Sequence, residues 1–287
     1  MVRGMVGALV QRVIAALGLG VVAALFGCGA ASSAAKNDEP VPKPPASSTP
    51  VAPSAASAAR PPEVAPGGCP SGMAPAPAGT LTMELFDEIE TTFSFASFCL
   101  DVTEVTVADY AACVKRGACE AKGTDTELVF GKEQGSEGCN AAIEGRATHP
   151  MNCVDWAQAG QFCRANGKRL PSEAEWEWAA RGGTKARAYP WGKALPTTQL
   201  GCLERTSTCP VGDFPEGRGF FGHEDLAGNV MEWTSSPFDP EEDSSHGERA
   251  VRGGSWATMD AEQLRTKAVD RAEPSTRIAM LGFRCAL

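Results

Sequence analysis

The stretch from Gly222 to Trp256 constrains the fold more than any other part of the chain. It reads GHEDLAGNVMEWTSSP, continues through a polar loop and ends in VRGGSW. Its glycines let the backbone turn and approach other segments closely, and its tryptophans supply large buried surfaces where regular structure is scarce. We therefore expect an α+β domain with little regular secondary structure, whose irregular core is held together by aromatic side chains.

Cysteine is abundant, with eleven residues in a chain of 287. This number is high for a reducing compartment, so it favours an exported protein with disulfide bonds. Setting Cys28 aside leaves an even number, whose connectivity the sequence alone leaves open. Cys202 and Cys209 flank a short loop and are expected to pair. Further candidate pairs are Cys69 with Cys99, Cys113 with Cys119, and Cys139 with Cys153.

Two kinds of binding are disfavoured by the composition. A zinc site is the alternative use of the cysteines, but no CxxC occurs and the three histidines are scattered, whereas closed zinc sites show tighter ligand spacing. The net charge of -9 and the isoelectric point of about 5.0 argue against a nucleic-acid-binding surface. We expect neither zinc nor nucleic acid as a ligand.

Residues 1–28 have the pattern of a bacterial lipoprotein signal peptide. Arg3 and Arg12 give a positive start, and the apolar run that follows is too short for a comfortable membrane span. The run ends in LFGC, so Cys28 resembles the acylated cysteine of a lipobox. Ordinary secretory cleavage and an uncleaved anchor are the alternatives. Gly29 does not provide an acidic inner-membrane retention signal, which favours the outer membrane.

Residues 29–67 are rich in alanine, proline and serine. Such a segment cannot bury enough apolar surface to fold, and it should behave as an extended linker. The folded domain is therefore expected to cover residues 68–287, held away from the membrane by this tether.

Helix and strand signals are clearest inside that domain. A serine, threonine or aspartate followed three residues later by an acidic or amide residue marks a capping box. This pattern predicts three helices that begin after Thr106, Asp155 and Ser172, with Asp109, Gln158 and Glu175 as the partners and Gly117, Gly167 and Gly182 as stop signals. Strands are expected near residues 93–100, 251–256 and 281–286, and residues 118–149 are expected to be a loop insertion.

Several motifs occur in one order: GKRLPSEAEWEWAARGG, YPWG, PVGDFP, DLAGNVMEWT, RGGSW and GFRC. Together they resemble the formylglycine-generating enzyme, or sulfatase-modifying factor, family, over residues 69–287. The resemblance implies a C-type-lectin-like fold and a disulfide between Cys163 and Cys285. The arginines of these motifs, Arg169, Arg252 and Arg284, are expected in buried ion pairs or loop contacts rather than in substrate binding, and the tryptophans are expected in the core.

Members of this family convert a sulfatase cysteine to formylglycine with oxygen and copper held by a cysteine pair. The matching positions here are Thr258 and Gln263, and hydroxyl and amide groups do not hold copper as thiolates do. Copper and formylglycine formation are therefore not expected. Ser255, Thr258 and Gln263 are the candidates for lining the old cleft. A non-catalytic module for an envelope protein or glycan is favoured, and an oxygen-dependent oxidoreductase with an altered site is the alternative.

The resemblance also implies a structural calcium site. Its ligands would be the side chains of Asp225 and Glu232 and the backbone carbonyls of Gly228 and Val230, because oxygen donors suit calcium. The alternative is that Asp225 and Asn229 hold a turn while Glu232 meets an arginine.

Overall fold

The computed structural model describes residues 68–84, 90–129, 132–135, 138–239 and 247–287. These residues lie in one compact unit. The predicted signal peptide, the lipobox at Cys28 and the linker lie outside the described residues. Within the described part of the chain, no helix combines the length and apolar character needed to cross a bilayer.

The described residues contain ten short strands, which form four small sheets. One four-stranded sheet has the order β10-β7-β8-β9, in which β10 and β7 are parallel and the other neighbours are antiparallel. The remaining strands form the antiparallel pairs β1–β4, β2–β3 and β5–β6. The strands are β1 Met73–Ala76, β2 Gly79–Glu84, β3 Glu90–Phe95, β4 Phe98–Asp101, β5 Glu127–Val129, β6 Lys132–Gly135, β7 Met231–Pro237, β8 Arg249–Arg252, β9 Val269–Ala272 and β10 Leu281–Gly282.

Three α-helices begin where the capping patterns predict. They are α1 Val107–Lys115, α2 Trp156–Ala165 and α3 Glu173–Ala180. At the start of α2, the side chains of Asp155 and Gln158 each accept a hydrogen bond from the backbone N–H of the other residue. Ser172 and Glu175 form the same reciprocal capping box at the start of α3. At α1 the Thr106 hydroxyl accepts from the backbone N–H of Asp109, and it donates to the Asp109 carboxylate instead of completing a full box.

Two predicted strands are shorter than expected. The strand predicted over residues 251–256 ends at Arg252, because Gly253 and Gly254 have positive φ angles of 96° and 65° and turn the chain. The strand predicted over residues 281–286 ends at Gly282; beyond it, Ala286 makes only isolated bridges to Leu100 and Arg169. The predicted loop over residues 118–149 contains the β5–β6 hairpin and the 3-10 turn Asn140–Ala142.

The main core lies between α1, α2, β7 and the C-terminal segment. Tyr110 of α1 stacks on Phe162 of α2, and Phe283 meets both rings edge-on. Helix α3 is buried along its whole length, so its tryptophans, Trp176 and Trp178, are core residues. The α+β fold with little regular structure is thus confirmed.

Disulfide bonds join all ten cysteines of the described residues. Cys163 bonds Cys285, the pair that the family resemblance implies, and links α2 to the C-terminal segment. The other pairs are Cys69–Cys99, Cys113–Cys119, Cys139–Cys153 and Cys202–Cys209. Because every thiol is used in a covalent bond, the described residues hold no free cysteine to ligate a soft metal.

Candidate functional site: the cleft turn and two buried arginine clusters

The segment that follows β8 forms a tight turn at the predicted cleft. A side chain at Gly253 would place its Cβ 3.2 Å from the Trp176 ring, and one at Gly254 would come within 2.7 Å of Leu264. These positions therefore require glycine, both for their positive φ angles and for space. The turn brings Ser255 and Thr258 together, and Gln263 follows on the 3-10 helix Ala261–Leu264.

Thr258 holds this turn through its hydroxyl group. The backbone N–H of Ser255 donates to Thr258 Oγ1 at 2.9 Å, and the N–H of Thr258 donates to the Ser255 carbonyl at 3.0 Å. Ser255 is itself only 3% exposed, and its Oγ accepts from the N–H of Ala257. The hydroxyls at the predicted cleft are thus engaged in turn structure, the usual role of such side chains in loops.

The first buried cluster surrounds Arg252, whose side chain is 1% exposed. Its Nη2 donates to Glu173 at 2.6 Å and to Glu177 at 3.0 Å, and its Nη1 donates to the backbone carbonyls of residues 266 and 268. Arg181 pairs with the other oxygen of Glu177 at 3.2 Å. Two guanidinium groups therefore meet two carboxylates, and the cluster is balanced in charge.

The second buried cluster surrounds Arg284, which is 0% exposed. Its Nε and Nη2 each donate to one oxygen of Glu232 at 2.8 Å, and Trp176 Nε1 donates to the same carboxylate at 2.8 Å. The remaining Arg284 N–H groups donate to the carbonyls of Asp101, Val102 and Glu224. Arg284 thus ties the C-terminal segment to two distant loops. Both arginines make the buried ion pairs predicted for them.

Asp225 and Asn229, in the DLAGNVMEW motif, both adopt left-handed backbone angles with φ of 55°, a conformation for which these residue types are enriched. The Asp225 carboxylate accepts from the N–H of Gly212 at 2.6 Å, and Asn229 Oδ1 accepts from the N–H of Cys209 at 3.0 Å. This arrangement matches the turn-holding alternative, while Glu232 meets an arginine. The calcium ligands remain a prediction, and Glu232 has other partners for both its oxygens.

Two buried polar side chains near Arg284 were not singled out by the sequence. Glu104 is 2% exposed and neither of its oxygens has a hydrogen-bond partner. Burial, reinforced by the charge of Asp225, raises the pKa of Glu104 well above its ordinary value. Burial also raises the pKa of Asp225 to about 6. His223 is 0% exposed, and burial together with Arg284 lowers its pKa to about 4.

A surface crevice of about 620 Å³ lies over the Arg252 cluster. Charged side chains of both signs line it, including Glu84, Glu173, Arg187 and Lys267. Ser255, Thr258 and Gln263 do not line this crevice, so the crevice and the predicted cleft residues occupy different places. No sequence signal marked the crevice, because its walls come from segments far apart in the chain.

Comparison with known proteins agrees with this fold. Residues 62–287 match the sulfatase-modifying factor enzyme 1-like domain. The match covers most of the chain, and the chain belongs to this family.

The chain is similar in sequence both to formylglycine-generating enzymes and to a relative that is named as inactive. The formylglycine-generating enzyme of Streptomyces coelicolor is 36% identical over 179 residues, which cover 52% of this chain and 56% of that protein. The inactive C-alpha-formylglycine-generating enzyme 2 of Mus musculus is 35% identical over 170 residues, which cover 52% of each. The chain thus spans about half the length of the curated relatives it matches.

Solved structures share the fold. PvdO from Pseudomonas aeruginosa is 27% identical with a TM-score of 0.59, and the match covers 75% of this chain and 93% of that one. CarF is 21% identical with a TM-score of 0.57, covering 76% of this chain and 98% of that chain. The second likeness concerns the fold alone.

Proposed function

We propose that this chain is a non-catalytic binding or scaffold module of the cell envelope, built on a sulfatase-modifying-factor domain. The observation that carries the proposal is the chemistry at the cleft turn. Thr258 and Gln263 occupy the positions that hold the copper-binding cysteines in the enzymes that the sequence resembles. The Thr258 hydroxyl accepts a hydrogen bond from the Ser255 N–H at 2.9 Å, so it serves the turn.

The disulfide bonds also support a non-catalytic function. Every cysteine among the described residues is bonded to another cysteine, so no thiolate is left to replace the missing pair in copper binding. The similarity to an inactive relative, at 35% identity, shows that this family includes members without activity. The partner class that we propose is an exported protein or glycan.

The proposal includes the location of the protein. The leader, the cysteine in LFGC and the proline-rich segment fit an exported chain that is acylated on Cys28 and tethered to the membrane, with the outer membrane favoured by Gly29. We also include a structural calcium ion whose ligands, as the family resemblance implies, are the side chains of Asp225 and Glu232 and the carbonyls of Gly228 and Val230. The two orphaned oxygens of buried Glu104 beside this segment fit a hard cation.

The decisive experiment measures turnover. The full chain, purified with its disulfides intact, is incubated with copper(I), oxygen and a cysteine peptide from a sulfatase, and the aldehyde product is trapped and detected by mass spectrometry. A formylglycine-generating enzyme with its cysteine pair serves as the positive control. We expect no aldehyde and no retained copper, whereas turnover or one retained copper per chain would establish the oxidoreductase alternative.

A double variant tests whether the absence of two thiols is by itself the reason that the chain does not retain copper. Thr258→Cys with Gln263→Cys restores two thiols at the family positions and leaves the rest of the turn sequence unchanged. We expect this double variant to retain copper where the unaltered chain does not. Binding is tested separately by capture of envelope proteins and glycan fragments on the immobilised full chain, with Arg187→Glu and Lys267→Glu as crevice variants. Aldehyde formation without any captured partner would contradict the scaffold proposal.

A further inference from the structure

The crevice over the Arg252 cluster has the size of a ligand pocket, and its buried acids are already paired. Its volume is about 620 Å³, within the range of about 300–1,000 Å³ that is typical of small-ligand sites. Glu173 and Glu177 both line it, and both carboxylates accept from Arg252. Binding in the crevice would therefore depend on the more exposed charged groups of its lining.

Arg187 contributes a charge to the crevice that no carboxylate pairs among the described residues. Its Nη1 donates to the Pro190 carbonyl at 2.8 Å, and its guanidinium lies 4.9 Å from the centre of the Phe220 ring. These two contacts hold the side chain in place without cancelling its charge. A group that is fixed before binding loses little conformational freedom when an anion binds.

Lys267 adds a second positive charge next to Arg187. Thr266 joins their segments, because its N–H donates to the Ala188 carbonyl at 3.0 Å and its hydroxyl donates to the Arg187 carbonyl at 2.8 Å. Lys267 is exposed and makes no ion pair in the part of the chain that the structure describes. Its electrostatic interaction is with Glu262, which directly contacts another cation of the lining at 2.6 Å. Arg187 and Lys267 form the positive part of the crevice.

Glu84 and Glu90 form the negative part of the crevice. They are directly opposite each other in the β2–β3 pair, and both are exposed. Like charges in such a cross-strand pair are destabilising, and within the described ranges neither carboxylate has a cationic partner. A rule of strand pairing is thus broken in the lining of a pocket, and local conflicts of this kind are expected at functional sites.

We propose that the crevice binds a peptide segment with two opposite charges, its anion held by Arg187 and Lys267 and its cation by Glu84 and Glu90. A uniformly anionic polymer would be repelled by the two glutamates, and a neutral glycan would leave all four charges unpaired, whereas peptides carry carboxylate and ammonium groups together. Val269, which is 40% exposed in the same lining, offers an apolar contact. The inference rests on the proposed binding function and narrows the partner to a peptide.

The test uses peptides of defined charge and the full chain with its disulfides intact. Each acetylated, fluorescently labelled peptide contains one lysine and a free C-terminal carboxylate, separated by zero to four alanines. Fluorescence anisotropy at low ionic strength measures the affinity, because salt screens exposed charges. We expect saturable binding at one or more spacings. Replacing the carboxylate with an amide, or the lysine with acetyl-lysine, should weaken the affinity about fivefold, since exposed ion pairs are modest.

Crevice variants assign each charge of the peptide to its partner. Lys267→Gln and Arg187→Gln should each weaken binding of the carboxylate peptide about fivefold and leave binding of the amide peptide unchanged. The double variant Glu84→Gln with Glu90→Gln should weaken binding of the lysine peptide and leave that of the acetyl-lysine peptide unchanged. If Arg187→Gln does not fold, Lys267→Gln and the glutamate double variant decide.

Matched controls change exposed charges outside the crevice. Lys193→Gln and Glu216→Gln should bind every peptide as the unaltered chain does. No saturable binding at any spacing, equal affinity for peptides with one and two charges, or equal losses in crevice and control variants would overturn the proposal. The probes contain no cysteine, so formylglycine formation on a sulfatase peptide would contradict the non-catalytic function without changing this result.

Discussion

Arg252 and Arg284 are both buried, and each meets carboxylates in a different arrangement. Arg252 and Arg181 meet Glu173 and Glu177, so positive and negative groups are equal in number. Arg284 faces Glu232 in a bidentate pair but also interacts with two further carboxylates. The first cluster is balanced in charge, whereas the second contains more carboxyl groups than guanidinium groups.

The difference separates a structural cluster from a candidate ligand site. A buried ion pair contributes little to stability in itself, because desolvation offsets attraction, but an unpaired buried charge is strongly unfavourable. The Arg252 cluster is balanced in charge, although the Nε of Arg252 is buried without a hydrogen-bond partner. The Arg284 cluster contains Glu104, whose two carboxylate oxygens are both buried without a hydrogen-bond partner.

Removing either arginine should destabilise the domain, with the larger effect at Arg284. Arg284→Met leaves three buried carboxylates with no guanidinium and should cost about 5 kcal/mol in the free energy of unfolding. Arg252→Met leaves two, of which Glu177 still meets Arg181, and should cost about 3 kcal/mol. Urea unfolding at pH 7 with chelator measures both. Equal losses in the free energy of unfolding would show that the additional carboxyl group near Arg284 has no effect on stability.

The disulfide between Cys163 and Cys285 should contribute about as much as Arg284. The two cysteines are separated by 122 residues, and closing so long a loop stabilises by about 5 kcal/mol in the chain-entropy model. Cys202 and Cys209 are 7 residues apart, and their bond should contribute about 2 kcal/mol. Alanine pairs at each bridge, compared by urea unfolding, test this order. A larger loss at the short loop would contradict it.

His223 gives the Arg284 cluster a pH dependence of its own. The unfolded imidazole takes a proton below its ordinary pKa of 6.5, but the folded one does so only near 4. Between these values the unfolded state binds more protons, so stability from this group falls as the pH falls from 6.5 to 4. His223→Gln should reduce the loss between pH 7 and pH 4.5 by about 2 kcal/mol.

The shifted pKa of Asp225 changes the stability with pH in the opposite direction. Its pKa is raised from 3.8 to about 6, so across that range the folded state binds more protons and stability falls as the pH rises. The measurement for His223→Gln is therefore the difference from the unaltered chain at each pH, made in chelator by urea unfolding. An identical pH profile for both proteins would refute the assignment to His223.

The smallest expected loss of stability is at Glu173, in the Arg252 cluster. Glu173→Gln keeps the shape of the side chain but weakens a charged hydrogen bond to Arg252 of 2.6 Å, and should cost about 1–2 kcal/mol at pH 7. Glu104→Gln in chelator should instead leave stability unchanged or raise it, because it removes a buried carboxyl group that has no hydrogen-bond partner and whose ionisation burial opposes. Thermal unfolding of both variants shows whether each one gains or loses stability. A loss of stability in both variants would contradict the expected difference between Glu173 and Glu104.

Much of the local structure could be predicted because its signals are local. Ser172 and Glu175 lie three residues apart, and their reciprocal bonds depend on little else. The same spacing relates Ser255 and Thr258, yet the structure of that turn was not predicted, since it requires Gly253 and Gly254 to have positive φ angles. The predicted strand over residues 251–256 was therefore too long.

The sequence by itself determined the domain family and the helix starts, because each is a pattern of residue types at short or fixed spacing. It also has Thr258 and Gln263 at the positions where the family resemblance implies a cysteine pair. Only the tertiary structure decided that Arg284 pairs with Glu232, 52 residues away, and that Glu104 lies buried without a partner. Burial and long-range pairing depend on how distant segments pack, and no spacing along one chain contains that information.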